Sequence, residues 1–317
     1  MVVLLSSQHL HLPFLSPPPS PPKRSNHRTS ISMTSSSSSS SSPYSHKDTR
    51  RSSLLEFPHL SPSHRELMLD LISTVETRLG PHLLPSAVPP DVAYFQTDSG
   101  NSQGSLDIRS GRKDSKIDFI LGSWLHCLLP SGAALDIATL FAYLSPKTDA
   151  PHLLLEFIQS SPTSLILFMD LLPRKDLVLH PNYLETFYQN TQLDAQRSKL
   201  LGVPNIKTYF SSSLYIRSVL SPTAIAMSIN CEEGSVDEIM RDYVDSVAKE
   251  LVRIWLDECA VGGKEIEEDE RDDLVRRDDL LKRKTVEIDL ASNLPRLFGA
   301  DAAGRIVDEI QKVFGID

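Results

Sequence analysis

The spacing of apolar residues along the chain changes twice, from helical to strand-like and back to helical. The first helical stretch follows Ser61-Pro62-Ser63-His64-Arg65-Glu66. Ser63 and Glu66 have the spacing of a capping box, and Met68, Leu71, Ile72, Val75 and Leu79 form one apolar stripe behind them. Gly80-Pro81 ends this helix, and residues 81–104, rich in Pro, Asp, Ser and Gly, read as a long loop. From residue 105 to 173 the chain offers short apolar segments at 106–109, 117–129, 135–144, 153–159 and 165–171, which predict successive strands. The separators, such as Pro130-Ser131-Gly132 and Ser161-Pro162-Thr163, are too short for crossover helices, so neighbouring strands are expected to run antiparallel.

Beyond the strands, 182–201 reads as helix, 209–216 is ambiguous and 223–229 reads as one more strand. Ser235 and Glu238 then repeat the capping-box spacing. The stripe Val236, Ile239, Met240, Tyr243, Val247, Leu251, Ile254 and Trp255 predicts a long core-packed helix. The acidic run 265–273 opens a charged helix at 274–284, and Ile306, Ile310 and Val313 mark a last one. Strands in the middle with helices at both ends predict a three-layer α/β/α sandwich around a central, mostly antiparallel sheet. It is expected as one domain over 61–317, after a linker at 41–60.

The leader changes the picture of where the chain works. Its first 47 residues hold no Asp or Glu, only Lys23, Arg24, Arg28 and Lys47, with a serine run at 35–42. An acid-free, Ser-rich, basic leader predicts an organelle transit peptide, placed at 1–40. Its removal would take the formal charge from −9 to −12, which makes nucleic acid an unsuitable partner. No apolar run reaches the length that spans a bilayer, so no transmembrane segment is expected. Cys127, Cys231 and Cys259 are odd in number and widely spaced, which favours three reduced thiols over a disulfide framework or a zinc site. Oligomeric state, a homodimer included, is left open.

No phosphate loop, GxGxxG, GxSxG, HExxH or CxxC occurs, so any chemistry must come from scattered acids. Glu156 stands out. It lies in Leu153-Leu154-Leu155-Glu156-Phe157-Ile158, apolar on both alternating faces, where desolvation favours a protonated carboxyl suited to proton donation. A core Arg or His partner, or a wet strand end, would explain it equally. Asp118, Asp136, Asp170 and His126 also interrupt strands and read as structural. Asp289 passes as a helix-end aspartate. The stretch from Tyr209 to Ser218, with Phe210, Ser211 and Arg217, suits stacking and hydrogen bonding of a flat, carboxylate-bearing ligand, or else a surface loop. Arg276, Arg277, Arg283 and Lys284 make two i, i+7 pairs, a candidate basic docking patch or a solvated face.

Taken together, Glu56-Phe57-Pro58, Asp118 to Cys127, Glu156 to Ser161, Arg174 to Leu179, Arg217 to Ala224 and Pro295-Arg296-Leu297-Phe298-Gly299 resemble the red chlorophyll catabolite reductases of land plants. The resemblance runs in order through nearly everything after the leader. It implies the fold of ferredoxin-dependent bilin reductases and a chloroplast stromal enzyme of chlorophyll breakdown. It also implies reduction of red chlorophyll catabolite, a linear tetrapyrrole, to primary fluorescent chlorophyll catabolite. Reduced ferredoxin would be the external donor, with no bound flavin, metal or nicotinamide, and the membrane-bound pheophorbide a oxygenase would be a partner. It assigns Glu156 and Asp289 to the substrate-facing acids, Tyr209, Phe210 and Ser211 to the substrate pocket, and Leu220 to the position that bears on product stereochemistry. A non-catalytic tetrapyrrole carrier is the competing expectation, and a biliverdin reductase of phycobilin type a more distant one.

Overall fold

In the computed structural model, residues 53–316 are described, the side chain of Asp269 excepted. The transit peptide expected at 1–40 and the first part of the expected linker lie outside them. The last part of that linker belongs to the fold: Leu54 and Phe57 are buried in the core, and Trp124 Nε1 donates to the Ser53 carbonyl at 2.9 Å.

The alternating segments form strands because their apolar residues can serve two interiors at once. Strands β1 (Tyr94–Gln96), β2 (Ser102–Ser110), β3 (Ile117–Leu128), β4 (Ala134–Leu144), β5 (His152–Ser161), β6 (Ser164–Leu172), β7 (Ile206–Thr208) and β8 (Ile225–Asn230) make one eight-stranded sheet in the order β1-β2-β3-β4-β5-β6-β8-β7. Every neighbouring pair is antiparallel. The two strands absent from the sequence reading, β1 and β7, are three residues long and carry too little alternation to register. At the turn into β3, Gly111 donates to the Asp118 carbonyl, and a Cβ there would run into the backbone of Ile117.

On one face lie α1 (Pro62–Leu79) and α4, an unbroken helical run over 235–261 with π-helical turns at Met240–Val244 and Trp255–Val261. Their stripes cover Leu153, Leu155 and Phe157 of β5. On the other face, α5 (Arg271–Thr285), α6 (Ala291–Phe298) and α7 (Ala300–Phe314) cover Leu154, Ile158, Phe168 and Leu172. The result is the expected three-layer α/β/α sandwich. The caps fall elsewhere than expected. Ser61 caps α1 with Pro62 in its first turn, and Ser63 instead gives its N–H and hydroxyl to Asp237, each at 3.0 Å, tying α1 to α4. At α4 the left-handed Gly234 takes the cap position and Ser235 starts the helix. The helix expected over 182–201 breaks at Gln192, whose φ of 62° no helix accommodates. Of its pieces, Leu193–Leu201 is α2, and α3 (Leu214–Val219) resolves the ambiguous stretch.

One buried polar network anchors the C-terminal layer. Arg174, just past β6, is 2% exposed and grips Asp278 of α5 through Nη2 at 2.5 Å and Nε at 3.2 Å. His152, at the start of β5, receives the Leu144 N–H on Nδ1 and gives its Nε2–H to Asp278, both at 3.0 Å. That pattern fixes the neutral tautomer. Burial pushes His152 down to about 4. Burial also works against the Asp278 charge, but the His152 and Arg174 contacts outweigh it and hold the carboxyl at about 2.

Asp278→Ala strands the Arg174 charge in the interior and is expected to cost about 3–5 kcal/mol in urea denaturation. The double change Arg174→Met with Asp278→Leu should cost less than that single one, and additive losses would show the pair is not coupled. A second expectation concerns acid. His64, buried beside Phe157 with neither ring nitrogen hydrogen-bonded among the described residues, is also pushed down to about 4 by burial. A histidine with a depressed folded value binds its proton first in the unfolded chain. Its stabilisation is therefore complete above its ordinary 6.5 and is lost as pH falls toward 4. His64 and His152 together should cost several kcal/mol over that window, at about 1.4 kcal/mol for each tenfold change in proton affinity as an upper bound. Asp170, raised to about 7, acts oppositely, losing stabilisation as pH rises from about 4 to 7, and offsets part of the trend. The urea midpoint should fall between pH 6.5 and 4.5, and because Asp170 already offsets one of the two histidines, His64→Leu should remove most of that slope; an unaltered slope would contradict the assignment.

Candidate active site

Between the sheet and the C-terminal layer lies a narrow apolar cleft of about 20 Å³. Its floor is Leu154 of β5 and Leu172 of β6. One wall is α3, with Tyr215, Ile216, Val219 and Leu220. The other is Leu281, Lys284, Thr285, Ile288 and Asp289, which recur at i, i+3, i+4, i+7 and i+8 along α5 and the π-helical turn Val286–Leu290 that prolongs it. An apolar lining with a few polar groups converging on it is the usual character of a site for an organic ligand, and at this volume the walls must part to admit one.

Asp289 is 4% exposed and accepts from Asn293 Nδ2 at 3.0 Å. It stands inside a continuing helical run, not at the helix end where the sequence alone puts it, because the π turn carries the helix from α5 into α6. π turns recur at functional positions in helices. The signal that could have found it is its place at i+8 in the stripe that Leu281 begins.

Glu156 is fully buried, on the same sheet face as Leu154 and two positions further along β5. Its neighbours across the sheet are Thr139 of β4 and Phe168 of β6. The Thr139 hydroxyl lies 3.5 Å from Oε1, at the long limit of a hydrogen bond. Glu156 does not line the open part of the cleft. The register puts it beside Phe168, whose ring meets Tyr209 edge to face at 5.5 Å. Tyr209 donates its N–H to the Ala226 carbonyl and so continues the β7 edge over this row.

The structure brings Leu220 and Asp289 together in the cleft and places Tyr209 over the Glu156 row. Phe210 is 71% exposed and faces away, and Ser211 is buried, its hydroxyl receiving the Ser213 N–H. Asp170, which the sequence marks only as structural, pairs with Leu154 in the sheet and takes both the N–H and the hydroxyl of Ser221, at 2.7 and 2.6 Å. Burial raises it to about 7 against the pull of those two bonds. It thereby pins the chain immediately after Leu220.

The four residues of the expected basic patch separate. Arg276 and Arg283 are exposed on α5. Arg277 gives its guanidinium to the Pro173 carbonyl, and Lys284 turns toward the cleft. On the opposite sheet face His59, His126 and Asp136 come within ligating reach of one another. The His59 and His126 rings, however, stack at 3.6 Å and 13°, and His126 Nδ1 is 2.6 Å from Asp136. Lone pairs lying in two parallel planes do not converge on one ion. The three cysteines are unbridged. Among the described residues no helix is long and apolar enough to cross a membrane.

Comparison with known proteins bears on the fold and the family. A TM-score of 0.61 relates the fold to the crystal structure of phytochromobilin synthase from tomato, solved in complex with biliverdin; identity is 18%, over 79% of this chain and 82% of that one. The chain is 52% identical to red chlorophyll catabolite reductase 1, chloroplastic, of Oryza sativa subsp. japonica over 259 residues, 80% of this chain and 78% of that protein. It is 46% identical to the chloroplastic red chlorophyll catabolite reductase of Arabidopsis thaliana over 275 residues, 86% of each. The family model described as red chlorophyll catabolite reductase matches residues 63–312. The chain therefore belongs to the red chlorophyll catabolite reductase family.

Proposed function

We propose that this chain reduces red chlorophyll catabolite, an open-chain tetrapyrrole, to primary fluorescent chlorophyll catabolite, taking electrons one at a time from reduced ferredoxin. The observation that carries the reading is the apolar cleft with Asp289 on its wall and the fully buried Glu156 two strand positions beyond its floor. The overall change adds two electrons and two protons to the pigment. Each electron places negative charge on the conjugated system, and a nearby carboxyl shut away from water is favoured in its proton-carrying form, ready to neutralise it. Asp289 is the acid at the open wall. Glu156 becomes the second once ligand parts Tyr209 from the row it covers. Alternating electron and proton arrival lets the pigment itself carry the intermediate charge, so a bound flavin or metal is not required. The names of the relatives support a chloroplast location, with the leader as its address. The pheophorbide a oxygenase that makes the red pigment is the expected neighbour.

The purified protein, anaerobic, with red catabolite and reduced ferredoxin and no other enzyme or added flavin, should yield fluorescent product. Binding of pigment without product would replace the reading with that of a carrier. Glu156→Gln and Asp289→Asn should each keep the fold and pigment binding while lowering turnover by roughly 100-fold, the low end of acid catalysis. Undiminished turnover would remove that residue from the mechanism. Ferredoxin docking falls to Arg276 and Arg283, which stand clear of the cleft and of the Pro173 carbonyl. Reversing both charges should raise the ferredoxin concentration needed for half-maximal rate several-fold at low salt and little at high salt. An unchanged salt dependence would exclude this face.

A further inference from the structure

The cleft is chemically lopsided. Its floor and the α3 wall are apolar apart from the Tyr215 ring, and on the α5 wall the acid Asp289 and the base Lys284 stand five residues apart, about 7 Å along the helix axis. Among the described residues lining the cleft, Lys284 is the one cation. In this ligand-free structure its ammonium meets Glu287 Oε2 at 2.7 Å, but Lys284 is 35% exposed and Glu287 65%. An ion pair so wet contributes little, and its partner is easily exchanged. Lys284 thus stands at the cleft edge with a replaceable counter-ion.

We propose that Lys284 is the carboxylate-recognition residue of this cleft. On binding it leaves Glu287 for an acidic side arm of the tetrapyrrole, and so sets which end of the pigment enters toward Asp289. The inference rests on the tetrapyrrole reading of the cleft. Its physical basis is asymmetry. An ionised arm placed near Asp289 meets an acid in an apolar surround, whereas the same arm at Lys284 gains a charge-assisted hydrogen bond at a half-wet rim, where little desolvation opposes it. Recognition at one end fixes the distance of the conjugated bridge from the acid wall, because the two side chains ride on one helix. Glu287 competes with the ligand for the ammonium.

The test compares binding of biliverdin and biliverdin dimethyl ester by absorbance titration, together with the KM and kcat for red catabolite where turnover is measurable. Lys284→Gln should weaken binding of the free acid about tenfold, leave ester binding within about twofold, and lower kcat/KM through KM. Lys284→Arg should restore most of the loss. Glu287→Gln, releasing the ammonium, should tighten acid binding two- to threefold. Equal loss for acid and ester, or no loss for either, overturns the assignment. Absence of turnover in the unaltered protein would sink the catalytic reading while leaving the acid-against-ester comparison intact.

Discussion

The cleft depends on the buried pairing of Arg174 with Asp278. A guanidinium 2% exposed is tolerable only where its charge is answered, and the answer comes from a helix of the opposite layer. The network joins three points: His152 at the start of β5, Arg174 at the exit of β6, and Asp278 in α5. Each cleft boundary lies one step from one of them. Leu154 is two residues beyond His152, Leu172 two before Arg174, and Leu281 three beyond Asp278. Floor and wall are thereby fixed relative to each other by a contact that is itself outside the cleft.

The same sheet face shows how a doubly covered sheet treats ionisable groups. His152, Glu156 and Asp170 all project from β5 and β6 into the C-terminal interior. His152 meets burial by giving up its charge. Asp170 keeps two donors from Ser221 and is still raised to about 7. Glu156 sits between the Leu154–Asp170 and Ile158–Ile166 pairs, with the Thr139 hydroxyl at long range. A sheet with one wet face would have exposed these groups or left them ordinary. Covering both faces gathers three ionisable side chains beneath the C-terminal layer.

Much of this is legible in the sequence, for a physical reason. Six strands of the sheet carry enough apolar residues to reveal alternation, and their short separators dictate antiparallel pairing, so topology follows. Glu156 is visible because a carboxylate in an unbroken apolar run is a local anomaly. Asp289 is marked in the sequence only by its place at i+8 in the stripe that Leu281 begins, since the π turn that keeps it within a helix has no local residue signature; the resemblance is what raises it. Arg174 and Asp278 are equally silent, being 104 residues apart with their pairing set wholly by tertiary structure. Lys284 looks like part of a surface patch because an i, i+7 spacing to Arg277 cannot reveal that one side chain turns to a backbone carbonyl and the other to a cleft.

The walls of the cleft are unequal in how firmly they are held, and this bears on Glu156. The α5 wall continues without interruption into α6 and is anchored by Asp278. The α3 wall is a six-residue helix, joined to the sheet by Ser221 on Asp170, by Tyr209 on Phe168 and by Ile216 in the core. On the same segment Phe210 and Leu214 are each 71% exposed, whereas Ile216 is buried in the core and Tyr215, Val219 and Leu220 pack beside it. For a pigment to reach from Asp289 to Glu156, the α3 segment is the wall that must yield. Ser221 on Asp170 holds the segment at its Leu220 end, and the Tyr209 ring on Phe168 holds it at the other. Leu220 lines the cleft immediately before the clamped Ser221, so its place on the wall is fixed by the buried Asp170 carboxyl.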